Sequence, residues 1–512
     1  MTLFRGLLTI SLLLQGIVAV GAPRQTAALV RGPAKVGTAK LMSSREAEHF
    51  MATVLRREQK FYQPGIAFDG ATGLTFDGHP TDFDTGKLRG GARVWSAASK
   101  ESLHLILLTK AIGGEPDAQT VITPDPKRPE LAKSAALDIL ERKIASYEKF
   151  DREYPGYGGF LPWYKVEWGK VTPTHDWKHR VPGLDNGQLA WSLYFTAARL
   201  KEMGETKLAA RYEAHLAKMK ANVVRVFYDP VAKKMRAEAK IDFGNAVAPH
   251  ANSYSNNVTK YFLDDSYEGL LLCHFADLMG DWSSHPEGRE PVFAIPRRTP
   301  VTKTIGHTAM TATEGNWLSS HEDWGDLVLP YRDVPVAATL YKNEQRVRTK
   351  WAELHGHSGV GASTHKPGTD DTPPAYVSAV GVQPFAKEKV ATDKIFAPYA
   401  AFPLALVNKR LFATWLSSML KAPGMFGEYG MNESYSDDGR RASLLTWDGK
   451  ALPVVAWMGG IAPDVGRLLQ RDGLYDEFRK RVQKDFSKFD GVTIKGTHVP
   501  YGLPQSQKLG TN

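Results

Sequence analysis

Three carboxyl groups stand close together in the segment YFLDDSYEGLLLCHF, residues 261–275. Asp264, Asp265 and Glu268 come just before an apolar stretch that is suited to a buried helix. Burial in apolar surroundings raises the pKa of a carboxyl group, and proteins use this effect to keep an acid protonated at neutral pH. Glu268, which lies between Tyr267 and the apolar stretch, is therefore a candidate general acid.

The same spacing also fits an ordinary helix start. Acids are stabilised in the first turn of a helix by its dipole, and Glu268 lies three positions past Asp265, as in a capping box. We expect a helix near 265–280 with Asp265 as its structural cap. Asp264 is left open between anchoring the loop and contacting a ligand.

Two further acids stand in motifs of their own. Asp448, in LLTWDGK, follows an aromatic residue and begins a DG turn signal, so it is a candidate base or a plain turn residue. Asp185, in GLDNGQLAW, opens a helical pattern as an N-cap that can also face a cleft. Glycoside hydrolysis needs one protonated and one ionised carboxyl group. Glu268 and Asp448 fit the acid and the base.

Tryptophans stand beside acids throughout the long loops. A flat aromatic face packs on the apolar face of a sugar ring, and carboxylates bind the hydroxyls at its rim. The loops carry Trp163, Trp168 and Trp177 beside Asp176, Trp191 after Asp185, Trp317 after Glu314, Trp324 after Glu322 and Asp323, and Trp447 before Asp448. These combinations indicate a carbohydrate-binding cleft.

Other chemistries find less support in the sequence. The run HEDW at 321–324 lacks the HExxH arrangement, and His355, His357 and His365 share one loop without a known ligand spacing. There is no GxSxG elbow for a serine nucleophile, and GVGAS at 359–363 is not a dinucleotide motif. We therefore predict no metal and no organic cofactor.

Composition narrows the class of protein. The chain has 512 residues, 42% hydrophobic content and a formal charge of +10, enough for one large domain or two to three small ones. Its basic residues are scattered and form no nucleic-acid-binding patch. The single cysteine, Cys273, excludes an internal disulfide and is expected to be a buried, inert thiol. We expect a monomer with a neutral polysaccharide partner.

Residues 1–21 have the pattern of a secretory signal peptide, with Arg5, an apolar stretch over 7–20, and the small residues Ala19 and Gly21. We expect a mobile leader over 22–42 and a soluble, secreted mature protein, because no later stretch approaches the ~20 apolar residues of a membrane span. The sequences NVT at 257–259 and NES at 432–434 would be glycosylation acceptors in a eukaryote.

Helical periodicity dominates the rest of the chain. Apolar residues at helical spacing predict helices near 43–57, 101–112, 136–147, 189–200, 212–226, 265–280, 332–349, 402–420 and 464–486. A small β-hairpin is expected over 226–241, with its turn at Asp229–Pro230. We predict one all-α domain over 43–490, a toroid of helical hairpins with long active-site loops gathered at one end. Residues 283–303 are expected to be an insertion loop and 491–512 a tail.

Taken together and in order, several loop motifs resemble the endo-β-1,2-glucanases of glycoside hydrolase family 162 and, more distantly, the bacterial family 144. They are GGFLPW, VPGLDNGQLAWSLY, YFLDDSYEG, TEGNWLSSHEDWGDLVLPYRD, FAPYAAFPL and LTWDGK, spread over roughly residues 155–460. The resemblance implies an (α/α)6 barrel that hydrolyses linear β-1,2-glucan to short oligosaccharides, inverting the anomeric carbon.

The resemblance also implies roles for single residues. Glu268 in D-D-x-x-E-G matches the general acid, and Asp448 in T-W-D matches the base. In such enzymes the base draws its proton from water through a substrate hydroxyl, so the pair can lie farther apart than the ~6.5–9.5 Å usual for inverting enzymes. As substrate contacts we predict Asp185, Gln188, Trp177, Asp264, Trp317, Glu322, Asp323, Trp324 and Trp447.

Three alternatives stay open on the sequence alone. A transglycosylase on β-1,2-glucan differs from a hydrolase by water access, which a sequence does not show. A non-catalytic glucan-binding protein would keep the aromatic cleft, but both candidate acids are present. A polysaccharide lyase on a similar toroid would use a Tyr or His base and basic residues to neutralise a uronate, and the net positive charge is compatible with it.

Overall fold

The computed structural model describes residues 37–242, 247–256, 261–265, 267–366, 376–378, 380–391, 394–436 and 438–506. The predicted signal peptide, most of the predicted leader, the acceptor Asn257 and residues 507–512 of the predicted tail lie outside these residues. The helices of the described chain are α1 Ser44–Glu58, α2 Ala98–Ile112, α3 Pro116–Ile122, α4 Leu131–Glu153, α5 Gly183–Glu202, α6 Thr206–Phe227, α7 Leu270–Met279, α8 Arg289–Phe293, α9 Gly325–Val328, α10 Pro335–Leu354, α11 Phe402–Ala405, α12 Lys409–Leu420, α13 Trp447–Trp457, α14 Ala462–Arg471 and α15 Tyr475–Asp485.

The inner helices form a closed ring. Helix α2 contacts α5, α5 contacts α7 and α9, the 3-10 turn Ser320–Asp323 before α9 contacts α11, α11 contacts α13, and α13 returns to α2. These helices are buried on nearly all sides, whereas α1, α4, α6, α10 and α15 each bury one face. A helix that is apolar on one stripe packs outside the ring and shields it from water. The predicted all-α toroid is confirmed.

Short strands tie the loops together at the helix ends. The paired segments are Gly37–Thr38 with Gln505–Ser506; Gly78–Pro80 with Leu444–Thr446; Trp95–Ser96, Tyr164–Glu167 and Lys170–Pro173; Arg180–Pro182, Glu238–Ile241 and Tyr254–Asn256; Tyr228–Asp229 with Lys234–Met235; Pro300–Ile305 with Thr308–Thr313; Thr364–His365 with Tyr376–Val377; Ile395–Phe396, Ser434–Ser436 and Arg441–Ala442; and Phe426–Gly427 with Gly430–Met431. The predicted hairpin is present at Tyr228–Met235, but Glu238–Ile241 joins a different sheet.

Three predicted helices differ from the observed ones in more than the position of their ends. The helix expected over 265–280 begins at Leu270, and no side chain caps it, so Asp265 is not its cap. Oδ1 of Asp265 instead accepts a hydrogen bond from the backbone N–H of Tyr267, at 3.1 Å. The helix expected over 402–420 divides into α11 and α12, where Asn408 caps α12. The helix expected over 464–486 divides into α14 and α15 at Gly473, whose φ of 71° favours glycine.

The segment predicted as an insertion, 283–303, packs on the body of the protein. Arg297 is buried, and its Nη1 lies 2.9 Å from Oδ1 of Asp485. The expected tail also contacts the body as far as it is described, because Trp415 donates a hydrogen bond to the carbonyl of Gly502. Cys273 is buried as predicted, and burial raises the pKa of its thiol to about 12. No described helix is both long and apolar enough to cross a membrane.

Candidate active site

Glu268 lies in the turn that leads into α7 and is 6% exposed. Nε2 of Gln188, on α5, donates a hydrogen bond of 2.8 Å to Oε2 of Glu268. Nδ1 of His321 lies 3.4 Å from the other carboxyl oxygen, Oε1. Helices α5 and α7 can approach this closely because Gly187 precedes Gln188, and a Cβ at Gly187 would lie 2.4 Å from the backbone nitrogen of Leu272.

The surroundings of Glu268 favour its protonated form. Burial raises the pKa of Glu268 well above its usual value, and the negative charges of Asp185 and Asp448 add to this effect. The positive charge of Lys100 and the hydrogen bond from Gln188 act in the opposite direction but do not outweigh it. These surroundings favour the protonated form of Glu268, which is the form that a general acid needs.

Asp448 has a different environment at the start of α13. It is the only residue of α13 that is not buried, and its turn is fixed by Thr446, whose Oγ1 accepts a hydrogen bond of 3.0 Å from the backbone of Gly449. Nζ of Lys100 lies 3.2 Å from Oδ2 of Asp448. Oδ1 is buried and has no hydrogen-bond partner among the described residues. An ammonium in contact stabilises a carboxylate, so Asp448 can serve as a base.

Lys100 and Asp185 complete the cluster of charges. Burial by itself lowers the pKa of Lys100, but the carboxylates of Asp448, Asp77 and Asp185 outweigh burial and raise it. Burial raises the pKa of Asp185, and the charge of Asp448 adds to this, while hydrogen bonds from Ser99 and Trp163 oppose it. The candidate site thus brings together side chains from α2, α5 and α13 and from the turn before α7.

A row of indoles borders this cluster. The ring centroid of Trp163 lies 5.6 Å from that of Trp95 and 6.4 Å from that of Trp177. The rings of Trp163 and Trp177 are nearly parallel. Nζ of Lys100 lies 5.4 Å from the ring of Trp163, and the guanidinium of Arg180 lies 4.3 Å from that of Trp177. The predicted contact Trp177 therefore belongs to an aromatic row that is continuous with the charged site.

Other predicted contacts fall beside the site or away from it. Trp317 is 9% exposed and packs edge-on against Tyr267, whose hydroxyl bonds to Nδ1 of His321 at 2.9 Å. Trp324 and Trp447 are fully buried in the core, where Nε1 of Trp447 donates to the carbonyl of Ala67. Asp264 is half-exposed and pairs with Lys234 at the surface.

Glu322 and Asp323 belong to a buried polar cluster next to the site, together with Glu344 and Arg348. Oε1 of Glu322 accepts a hydrogen bond of 2.7 Å from the backbone of Trp317, and Oδ2 of Asp323 accepts one of 2.8 Å from Arg348. Burial raises the pKa of Glu322 to about 8. Both acids hold the loop that carries His321.

Two motifs considered in the sequence have other roles. Asn432 is 3% exposed, and its amide donates to the carbonyl of Gly424, so the expectation of a glycan there is wrong for the folded chain. His365 bonds to Glu433 at 3.1 Å rather than joining His355 and His357, which stack on each other. Among the described residues, no group of three or more His, Cys, Asp or Glu side chains is placed to hold a metal ion.

Sequence reasoning missed Lys100 and the aromatic partner Trp95. Lys100 stands in the helical run SAASKESLHL and has no motif of its own. Its partner Asp448 is 348 positions away, so only the closure of α13 onto α2 brings them together. Its only signal in the sequence is a basic residue shortly before the apolar run LILL of α2, which predicts a buried helix.

Comparison with known proteins gives this geometry its context. The family model for endo-β-1,2-glucanase of glycoside hydrolase family 162 matches residues 74–511. No curated protein sequence matches the chain.

Solved structures agree with the family match. Endo-β-1,2-glucanase from Talaromyces funiculosus in complex with sophorose is 30% identical, with a TM-score of 0.82 over 91% of this chain and 95% of that one. A second structure of that enzyme, a glutamate-to-glutamine mutant with β-1,2-glucan, has the same TM-score and identity. Endo-β-1,2-glucanase from Chitinophaga pinensis shares the fold at 15% identity, with a TM-score of 0.56 over 86% of this chain and 97% of that one. The chain is a glycoside hydrolase and belongs to family 162, the endo-β-1,2-glucanases.

Proposed function

We propose that the protein cleaves linear β-1,2-glucan internally, with inversion of the anomeric carbon, using Glu268 as general acid and Asp448 as general base. The observation that carries the proposal is the contrast between the two carboxyl groups. Glu268 is buried with a raised pKa, whereas Asp448 is in contact with the ammonium of Lys100. The Talaromyces funiculosus relative in complex with β-1,2-glucan supports the choice of substrate.

The proposed step follows from these protonation states. Glu268 donates its proton to the glycosidic oxygen as the bond from that oxygen to the anomeric carbon breaks. A water molecule attacks the anomeric carbon from the opposite face, and its proton passes to Asp448, directly or through a substrate hydroxyl. The reaction leaves Glu268 ionised and Asp448 protonated, and exchange with solvent restores both.

The anomer of the first product is the most direct test of whether the reaction inverts the anomeric carbon. Purified protein is incubated with linear β-1,2-glucan, and reducing ends and the anomeric proton signals are followed from the first minute. We expect α-anomers to appear first, because inversion of a β-linkage gives an α-product. Early β-anomers would contradict inversion, and transfer products in place of reducing ends would contradict hydrolysis.

Variants test the two roles. Glu268→Gln and Asp448→Asn keep side-chain size and remove the proton donor and the base. Each is expected to lower kcat by about 10³-fold or more, a loss at the scale of general acid–base catalysis. Asp464→Asn, on α14 outside the site, is the matched control and should keep wild-type activity. Full activity in Glu268→Gln or Asp448→Asn would overturn the role of that residue.

We also propose that the protein is secreted. The support is the signal-like composition of residues 1–21, with a basic residue, an apolar stretch and small residues in that order. Expression of the full chain in a secreting host should release a protein whose N-terminus, read by mass spectrometry, begins soon after residue 21. Retention of the intact N-terminus inside the cell would contradict secretion.

A further inference from the structure

We propose that Lys100 is a positioning residue of the reaction, which holds the carboxylate of Asp448 through Oδ2 and so fixes the orientation of the candidate base. This inference rests on the proposed function and adds a residue to it. It arises from the geometry of the Lys100 ammonium and from its contact with Asp448.

The ammonium of Lys100 is held from several sides. Lys100 is 8% exposed, and its Nζ lies 3.2 Å from Oδ2 of Asp448 and 3.4 Å from Oγ of Ser99. The ring of Trp163 lies 5.4 Å away and provides a cation–π contact. A lysine with these contacts has little freedom to turn, and it fixes the carboxylate that it touches.

The two oxygens of Asp448 differ. Oδ2 accepts from Lys100, whereas Oδ1 is buried without a hydrogen-bond partner in the described residues. The bond to Lys100 is therefore the side-chain contact that fixes the orientation of the Asp448 carboxylate.

The charge of Lys100 also acts on the other acids of the cluster. Besides Lys100, the titratable groups that interact with Asp448 are Asp77, Asp185, Glu268, His321, Tyr376 and Tyr399. Three of them are carboxyl groups, and like charges so close together disfavour one another. Of these described groups, only Asp448 lies within hydrogen-bond distance of the ammonium, so the charge of Lys100 acts most strongly on the candidate base.

The test is the pH profile of Lys100→Met, which keeps the length of the side chain and removes its charge. Loss of the cation favours the protonated form of both Asp448 and Glu268. We therefore expect kcat/KM to fall about 100-fold and both limbs of its pH profile to move to higher pH by about one unit. Lys100→Arg retains a cation and should keep the limbs in place.

Lys110→Met is the matched control, since Lys110 lies on the same helix and pairs with Asp464 at 3.9 Å, away from the site. It should leave both activity and profile unchanged. Lower activity of Lys100→Met with unmoved limbs would reduce Lys100 to a structural role and overturn the inference. If Lys100→Met does not fold, as judged by circular dichroism, a shift of both limbs in Lys100→Arg would overturn it instead.

The proposed function and the role of Lys100 are contradicted by different results. A wild-type protein that releases no reducing ends from β-1,2-glucan defeats the proposed function itself. Wild-type hydrolysis combined with a wild-type profile in Lys100→Met defeats only the role of Lys100.

Discussion

Gln188 holds one oxygen of Glu268 through a hydrogen bond of 2.8 Å between Nε2 and Oε2. The two residues belong to neighbouring helical segments that meet at Gly187, where any side chain would collide with the backbone of Leu272. The bond orients a carboxyl group whose protonated form is favoured by burial. The position of the acid is therefore set by the packing of α5 on α7.

Gln188→Met tests whether Gln188 orients the carboxyl group of Glu268 or only stabilises the fold. The thioether fills similar space but does not donate, so Glu268 loses a bond that lowers its pKa. We expect kcat to fall roughly 10–100-fold and the alkaline limb of the pH profile to move upward, because the acid keeps its proton to higher pH. The check is a pH–rate profile alongside thermal unfolding. An alkaline limb that moves downward would contradict this account of the bond.

Glu322→Gln should change how stability depends on pH. Burial raises the pKa of Glu322 from 4.5 to about 8, so the folded state binds a proton that the unfolded state releases. For this group alone, wild-type stability is therefore highest below pH 4.5. It decreases as the pH rises from 4.5 through 8. Glutamine carries no such proton linkage. Between pH 5 and pH 8 we expect the stability of the variant to gain about 3 kcal/mol relative to wild type, because each pH unit between the two pKa values is worth about 1.4 kcal/mol.

Thermal or urea unfolding at the two pH values measures this difference. Asp323, Asp265 and Glu344 face the same group and contribute their own pH dependence to both proteins, so only the difference between them is informative. Glu213→Gln, at an exposed pair with Lys201, is the control and should show no pH-dependent gain. A gain of equal size at both pH values would count against a buried proton on Glu322.

Thr446→Val should affect both stability and catalysis. Oγ1 of Thr446 caps α13 through Gly449 and donates to Oε2 of Glu433, so its loss removes a cap and a partner of a buried carboxylate. Loss of an N-cap costs about 1 kcal/mol. We expect a lower unfolding temperature and a lower kcat, because Asp448 sits in the capped turn. Thr446→Ser keeps the hydroxyl and should retain both, and an equal loss in Ser and Val would contradict the role of the hydroxyl.

Trp168→Asn should make the protein more stable. Trp168 and Gly169 form the tip of a two-residue hairpin with φ of 54° and 70°, and the indole is 98% exposed. Asparagine adopts positive φ more readily, and no packing is lost on replacement. We expect a gain of about 0.5–1 kcal/mol in the free energy of unfolding. Gly169→Ala, which meets only ordinary contacts, should lose stability from its φ alone.

The candidate acid was predictable because its signal is local. The apolar stretch that buries Glu268 follows it directly in the chain, and the same stretch forms α7. Asp265 is not the helix cap because a turn at Glu268 and Gly269 precedes the helix, which begins at Leu270. The bond from Tyr267 to Asp265 satisfies that turn, and it competes with helical continuation.

The tryptophans show where a local pattern is insufficient. Trp163, Trp324 and Trp447 all stand in loops or element starts near acids, yet only Trp163 lies in the aromatic row beside Lys100. Trp324 and Trp447 point into the core, and the acids next to them point elsewhere. Adjacent residues in a tight turn or helix start face different directions, so sequence proximity of an indole to a carboxylate does not decide which of them reaches the cleft.

The contact of α13 with α2 has a consequence for how activity appears. Because Lys100 and Asp448 are separated by 348 positions, the pair exists only after the last inner helix has docked against the first. Any cleavage of glucan therefore reports that the ring has closed. The rate at which activity returns after dilution from denaturant should therefore not exceed the rate at which α13 docks on α2.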